Sequence, residues 1–426
     1  MNDNFIEFEE QDEFSSTARI KVIGVGGGGG NAVRRMIETE LAGVEFYVVN
    51  TDIQALRACQ NALRVQIGKG TTHGLGAGAN PEVGRKAAEE DKEDLRSMVE
   101  GADMVFVTAG MGGGTGTGAA PVIAGLAKDT GALTIGVVTR PFNFEGRRRA
   151  MQAEQGVEEI RDNADSVIVI PNQKLIEECE RTMPIRMAFR MGDEVLLHAV
   201  QSISDLITVP GEINLDFADV KTIMSNAGGA LMGIGSATGD NRAEIAARQA
   251  ISSPLLEENS IDGATGIIVN ITGPSDMATH ELEDAMDVIR NVSDTEQVIF
   301  GLAYDDTLED ELRVTVIATG FDPMYRAMKK QPGVRSDVMN LEELIGQNFG
   351  PMDRTGFRTA NSPSYGGRGN ASRTSRSGYR GQNNPYAQSP RATDDRSELT
   401  EREPAANNDD VLDIPAFLRL KTKERN

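Results

Sequence analysis

From Arg19 onward, short apolar runs alternate with amphipathic segments. The runs IKVIGV, FYVVN, MVFVTAG, LTIGVVT and SVIVIP are apolar at consecutive positions and rich in β-branched residues. Between them, NAVRRMIETEL, PEVGRKAAEEDKEDLRSMV and RRRAMQAEQGVEEIRD repeat their apolar positions at helical spacing. Strands apolar on both faces, separated by amphipathic helices, predict a parallel sheet covered on both sides. Such sheets take ligands beyond the carboxyl ends of their strands.

A longer helical pattern, PIRMAFRMGDEVLLHAVQSISDLI, leads through TVPGEINLDFADV into a second set of strand and helix patterns, among them GATGIIVNIT, ELRVTVIATG and THELEDAMDVIR. The chain therefore divides into an N-terminal tail (1–17), a parallel-sheet domain (18–183), a central helix (184–209), a smaller α+β domain (210–322), the tail of the fold with a linker (323–408) and a terminal peptide (409–426). The expected class is α/β, with the long helix joining the two domains. The first 17 residues are acid-rich and aperiodic, and text such as NSPSYGGRGNASRTSRSGYRGQ offers no core to offset ordering entropy. Both stretches are expected to be disordered.

Composition narrows the function classes. The formal net charge of −22 argues against general affinity for nucleic acid or anionic lipid, because phosphate neutralisation needs clustered cations. One basic island interrupts this: residues 348–392 hold seven arginines against Asp353 alone, in arginine-glycine text that also suits an RNA-binding tail. No apolar run reaches the roughly 18 residues that span a bilayer, and the acidic N-terminus is unlike a secretory signal, so a cytoplasmic protein is expected. Cys59 and Cys179, far apart, suit packing rather than a disulfide or zinc site, and His73, His198 and His280 are assigned no mechanism.

Two glycine clusters carry the candidate chemistry: GVGGGGGNAV at 24–33 and AGMGGGTGTGAAP at 109–121, each following a strand and opening a helix. Every such glycine costs the folded state about 0.5–1 kcal/mol relative to alanine. Backbone amides freed by the missing side chains, together with a helix N-terminus, can cradle an anion. Gly24, Gly26 and Gly29 also match GxGxxG, with Asp52 at the distance of a ribose acid, so a nicotinamide-dependent dehydrogenase competes. A dinucleotide fold needs one phosphate loop, however, and this chain has two. GKGTT at 68–72 is no P-loop, since it lacks the first glycine and has Gly70 after the lysine.

GGGTGTG at 112–118 is the signature of the tubulin/FtsZ superfamily, and the chain resembles its bacterial members in GVGGGGGNAV, NTD, GLGAGANPEVG, PFNFEGRRR, IPN, NLDFADV and DIPAFLR, over about 18–322 plus the C-terminal peptide. His73 departs from the basic residue that many relatives carry in that loop. The resemblance implies that 18–183 binds GTP or GDP, with Mg²⁺ held mainly by the phosphates and water and no protein metal site. It implies that Gly27, Gly28, Gly29, Gly30 and Asn31, with Gly113, Gly114, Thr115, Gly116 and Thr117, hold the phosphates. Glu145 would contact the ribose and Arg149 the phosphate-ribose region, while Asn172 and Asp193 read the guanine edge and Phe189 packs on its face. A carboxylate at 193 suits guanine, which offers it two adjacent N–H donors that adenine lacks.

Asp216 and Asp219 stand three apart at the start of a helix pattern, on one face and near its positive end. The resemblance implies head-to-tail homopolymers at the division ring in which these acids, with Asn214 shaping the loop, meet the γ-phosphate bound by the next subunit. At the C-terminus, Asp413 can cap a helix with Pro415 in its first turn, and Ile414, Phe417 and Leu418 form one apolar stripe. The resemblance gives this peptide membrane-anchoring division proteins and ring-placement regulators as partners, so that membrane contact is indirect.

Overall fold

The computed structural model describes residues 18–321, apart from 42, 178, 180, 181, 209–212, 214, 257–260, 294 and 296. The linker, the terminal peptide with Asp413, Ile414, Pro415, Phe417 and Leu418, and Asn214 lie outside the described residues.

The strands are β1 (Ile20–Val25), β2 (Val44–Asn50), β3 (Leu63–Gln66), β4 (Met104–Gly110), β5 (Leu133–Arg140), β6 (Ser166–Pro171), β7 (Gly228–Thr238), β8 (Gly266–Gly273), β9 (Val298–Tyr304) and β10 (Glu311–Thr319). The helices are α1 (Gly26–Glu38), α2 (Ile53–Arg57), α3 (Lys69–Thr72), α4 (Pro81–Glu90), α5 (Lys92–Val99), α6 (Thr115–Asp129), α7 (Arg147–Asn163), α8 (Asn172–Glu177), α9 (Ile185–Thr208), α10 (Phe217–Met224), α11 (Arg242–Ile251) and α12 (Thr279–Arg290).

The sheet runs β3-β2-β1-β4-β5-β6-β7-β10-β8-β9. The pairs from β3 to β7 are all parallel, and β10 lies antiparallel to both β7 and β8. The apolar runs are buried on both faces, as their lack of alternation requires. In β1, Ile20 and Val22 join one core while Ile23 and Val25 join the other; in β4, Met104 and Phe106 join the first and Val105 and Val107 the second. The first core is closed by α1, α9 and α10, the second by α4 to α7, and a third lies under α11 and α12. The long strand β7 joins the two groups of elements: Gly228–Ala230 pair with β6, and Leu231–Thr238 with β10. The two sets of elements thus share a hydrogen-bonded sheet as well as a helix.

Two constraints shape the carboxyl edge of the sheet. The chain order reverses between β1 and β4, where Val25 lies opposite Ala109, so the loops after both strands leave that edge side by side. Behind the second loop, α4 and α6 approach so closely that a Cβ on Gly84 would collide with the Gly114 carbonyl and one on Gly118 with the Pro81 carbonyl. Overpacking of this kind costs about 1–3 kcal/mol. Gly84→Ala is therefore expected to lower the melting temperature measurably, whereas Gly27→Ala, whose Cβ would have nothing within 4 Å, should leave the ligand-free protein as stable as the parent by calorimetry.

Candidate functional site

The loops after β1 and β4 open into one cavity of about 560 Å³ at the carboxyl edge of the sheet, within the usual range for a small-molecule site. Helices α1 and α6 begin there, and neither has a side-chain cap or an acidic residue in its first turn. Their unpaired N-terminal amides and dipoles favour an anion. Of the glycines that line this end, Gly27 and Gly113 have no atom within 4 Å of where a Cβ would stand, so the space before them is open to a ligand.

Gly27, Gly28, Asn31, Gly113, Gly114, Thr115 and Gly116 all line the cavity. Gly29, Gly30 and Thr117, expected with them, do not. A Cβ on Gly29 would collide with the Thr108 carbonyl and one on Gly30 would meet Val48 at 3.3 Å, so the absence of a side chain at both serves the packing of α1 onto the sheet. Thr117 is 2 % exposed, and its hydroxyl accepts from the Gly112 amide at 2.9 Å, which fixes the loop from behind.

The other end of the cavity is lined by Glu145, Arg149, Asn172, Phe189 and Asp193. Glu145 ends a short 3₁₀ turn, Asn143–Glu145, and its Oε2 lies 2.5 Å from Nη1 of Arg149, four residues on in α7. Asn172 opens α8 and lines the cavity; its Oδ1 is buried without a hydrogen-bond partner among the described residues. Asp193 lies on α9, where burial pushes its carboxyl up to about 6 against the pull of Arg35 and Arg34. The neighbouring Glu194 is held by Arg190 at 2.9 Å and Arg35 at 3.5 Å.

Several lining residues carry no role that the sequence assigns. Asn50 and Thr139 end or nearly end strands β2 and β5, and the loop after α3 contributes Gly76, Ala77 and Ala79. Ala79 holds φ +56°, a conformation that an alanine adopts only when its surroundings impose it. The glycine spacing of GLGAGAN is the available signal for this loop. Asp52 also lines the cavity, but its Oδ1 accepts from the amides of Gln54 at 2.8 Å and Ala55 at 3.4 Å, so the carboxylate is the N-cap of α2. His73 and His280 are exposed and His198 is packed at 4 % exposure; none lines the cavity, and Cys59 and Cys179 are not joined in a disulfide.

Asp216 and Asp219 are not at this cavity. Asp216 is the N-cap residue of α10, with Asp219 in the first turn. Helix α10 sits at the amino edge of the sheet: its Lys221 ammonium lies 3.5 Å from the Gly131 carbonyl, just before β5, and the chain after it enters β7 opposite Ser166, the first residue of β6. The far ends of β5 and β6 carry Thr139 and Asn172 into the cavity. An eight-residue strand is about 25 Å long. Helix α9 makes the same crossing, from Phe189 and Asp193 at the cavity to Thr208, which stands against Gly43 before β2.

Residues 19–180 match the GTPase domain of the Tubulin/FtsZ family, and residues 228–322 match the C-terminal domain of the FtsZ family. An FtsZ from M. jannaschii, solved as an empty dimer, is 42 % identical with a TM-score of 0.68, over 71 % of this chain and 88 % of that one. A mutant FtsZ of the same organism is 41 % identical with a TM-score of 0.69, over 72 % and 92 %. CetZ2 from Haloferax volcanii, a GTPγS-bound protofilament, shares the fold at 23 % identity and a TM-score of 0.61, over 73 % and 96 %. With paired glycine loops at the edge of a 3-2-1-4-5-6 sheet and this likeness along both groups of elements, the chain belongs to the FtsZ family of the tubulin/FtsZ GTPases.

Proposed function

We propose that the protein binds GTP in the carboxyl-edge cavity, assembles head to tail, and hydrolyses the nucleotide at the junction between subunits. The observation that carries this reading is the separation of the two candidate halves of the site, with the cavity at one edge of the sheet and Asp216 and Asp219 at the other. A single chain then has a nucleotide without its hydrolytic acids, and acids without a nucleotide. A head-to-tail contact brings one half to the other, and such contacts need not close on themselves. A similar FtsZ at 42 % identity is itself a dimer, which agrees with self-association.

On this reading the amides of α1 and α6 hold the phosphates, Glu145 turns from Arg149 to the ribose, and Arg149 is released toward the phosphates. Asn172 and Asp193 take the guanine edge against Phe189. The neighbour's Asp216 and Asp219 orient the attacking water, with Asn214 beside them. Mg²⁺ would enter with the nucleotide, held mainly by phosphates and water, and offset their charge. Of the three acids that line the cavity, Asp193 stands at the base end, and Asp52 and Glu145 are already engaged by α2 and by Arg149. Loss of the γ-phosphate removes charge and contacts from the junction, which couples turnover to disassembly.

The family points to cell division in the cytoplasm. Among the described residues no helix is long and apolar enough to cross a membrane. The terminal stripe Ile414, Phe417 and Leu418 would attach filaments to membrane-anchoring division proteins and ring-placement regulators. Phe417→Ala with Leu418→Ala should leave GTP turnover unchanged while abolishing recruitment to vesicles that carry such an anchor. Retained recruitment would move the tether to another segment.

Asp219→Ala should keep GTP binding and lower steady-state turnover by about 10²-fold or more. When the variant is preloaded with labelled GTP and mixed with unlabelled wild-type protein, the label should be hydrolysed wherever a wild-type neighbour supplies the acids. Failure of the isolated variant to bind GTP would overturn the split site.

Asp193 sets a pH dependence. Guanine needs the ionised carboxylate, and burial holds this group near 6 in the empty site. Affinity should therefore be full above about pH 7 and weaken as pH falls through 6, by about tenfold at pH 5. In the empty protein the sign for stability is opposite: the neutral acid is favoured in the fold, so this group's contribution fades as pH rises from about 4 to 6. Asp193→Asn should flatten the binding profile and weaken GTP by about 10²-fold, since each charge-assisted bond lost is worth about 1.5–3 kcal/mol. Titration calorimetry of both proteins from pH 5 to 7.5 separates this slope from that of the nucleotide phosphates.

A further inference from the structure

Three phenylalanines meet at the base end of the cavity, and only one of them lines it. Phe189, on the first turns of α9, is 43 % exposed and forms part of the wall. Phe142 and Phe144 stand behind it, stacked on each other at 5.0 Å between centroids and 10° between planes. Both meet the Phe189 ring edge to face, Phe142 at 5.2 Å and 86°, Phe144 at 6.1 Å and 83°. These separations lie in the range where aromatic pairs attract beyond their buried area. Phe142 is 1 % exposed and belongs to the packing of the fold. Phe144 is 54 % exposed, an apolar ring left largely in solvent at the edge of the site.

The turn that carries Phe144 touches each element that supplies the base and ribose end. The Phe142 amide donates to Glu145 Oε1 at 3.0 Å, and Glu145 Oε2 pairs with Arg149 of α7. The Asn143 amide donates to Gln173 Oε1 at 3.1 Å, one residue from Asn172 at the start of α8. The aromatic contact adds α9. A shift of this turn is therefore felt by the groups that would meet the base and the sugar.

We propose that Phe144 is a positioning residue for the guanine base: stacked on Phe142, it holds the Phe189 ring at the cavity wall in the orientation that packs on the base. This rests on the reading that the cavity takes a guanine nucleotide with its base beside Asn172, Asp193 and Phe189.

The full chain and its Phe144→Ala variant should be titrated with GDP, and with inorganic tripolyphosphate, which has neither base nor sugar, as a probe of the phosphate end. GDP affinity is expected to fall about three- to tenfold, the size of an aromatic pair contact. Tripolyphosphate affinity and the melting temperature should stay at the wild-type values, and Phe144→Tyr should restore GDP binding. An equal loss for both ligands, or a lowered melting temperature, would make the ring a structural support and overturn the proposal. Unchanged GDP affinity with loss of assembly alone would overturn it too, making Phe144 a subunit contact. If wild-type protein fails to prefer GDP over ADP, the reading of the cavity fails first, and this assignment with it.

Discussion

Two helix N-termini, those of α1 and α6, direct unpaired amides at the same space, and the rest of the cavity is organised around the negative charge they are built to receive. Their convergence arises from strand order. Because β1 and β4 are neighbours in register while their crossovers go to opposite faces of the sheet, one helix starts on each face and both start at one edge. A side chain at Gly27 or Gly113 would stand in that space. A side chain at Gly29 or Gly84 would instead push the helices off the sheet or off each other. The same residue type thus serves two purposes within a few positions of itself, access in front and close packing behind.

That double use explains what can be read from the sequence and what cannot. Strands β1 and β4 are legible because a run apolar at every position has one stable environment, a sheet covered on both faces. The two loops are legible because so many glycines in sequence oppose ordinary packing. Which glycine faces the ligand is not, because that depends on the angle at which α1 leaves the sheet. Gly29, Gly30 and Thr117, expected at the phosphates, do not line the cavity. Ala79 escapes a sequence reading for a related reason: its left-handed backbone is imposed by the loop and runs against the preference of alanine. The sharing of β7 between β6 and β10 is also hidden, since its eleven residues read as one strand whichever partners they choose.

Asp52 shows how a local pattern can fit two folds until its partners are known. Its distance from GxGxxG suits a ribose acid, and the sheet order 3-2-1-4-5-6 is that of dinucleotide-binding proteins as well. In this chain the carboxylate accepts from two amides of α2, while the far end of the cavity is lined from α8 and α9, elements that a dinucleotide fingerprint does not specify. On the proposed reading the discriminating information lies far along the chain, in Asn172 and Asp193.

Helix α9 turns these local arrangements into a polar molecule. Its 24 residues extend about 36 Å, enough to carry Asp193 at one edge of the sheet and deliver the chain to the turn before α10 at the other. A parallel sheet makes this polarity unavoidable: all carboxyl ends lie together, so ligand loops gather at one edge and the connections at the opposite edge are left for other uses. On the proposed reading, those connections present Asp216 and Asp219 to the next subunit, and each subunit adds a vacant cavity at one end as it completes one at the other. A subunit of this kind has no closed arrangement that satisfies both ends of every member except a ring, and a straight junction yields an open filament. On that reading hydrolysis belongs to the junction and not to the subunit, and the chain would turn over GTP only when assembled.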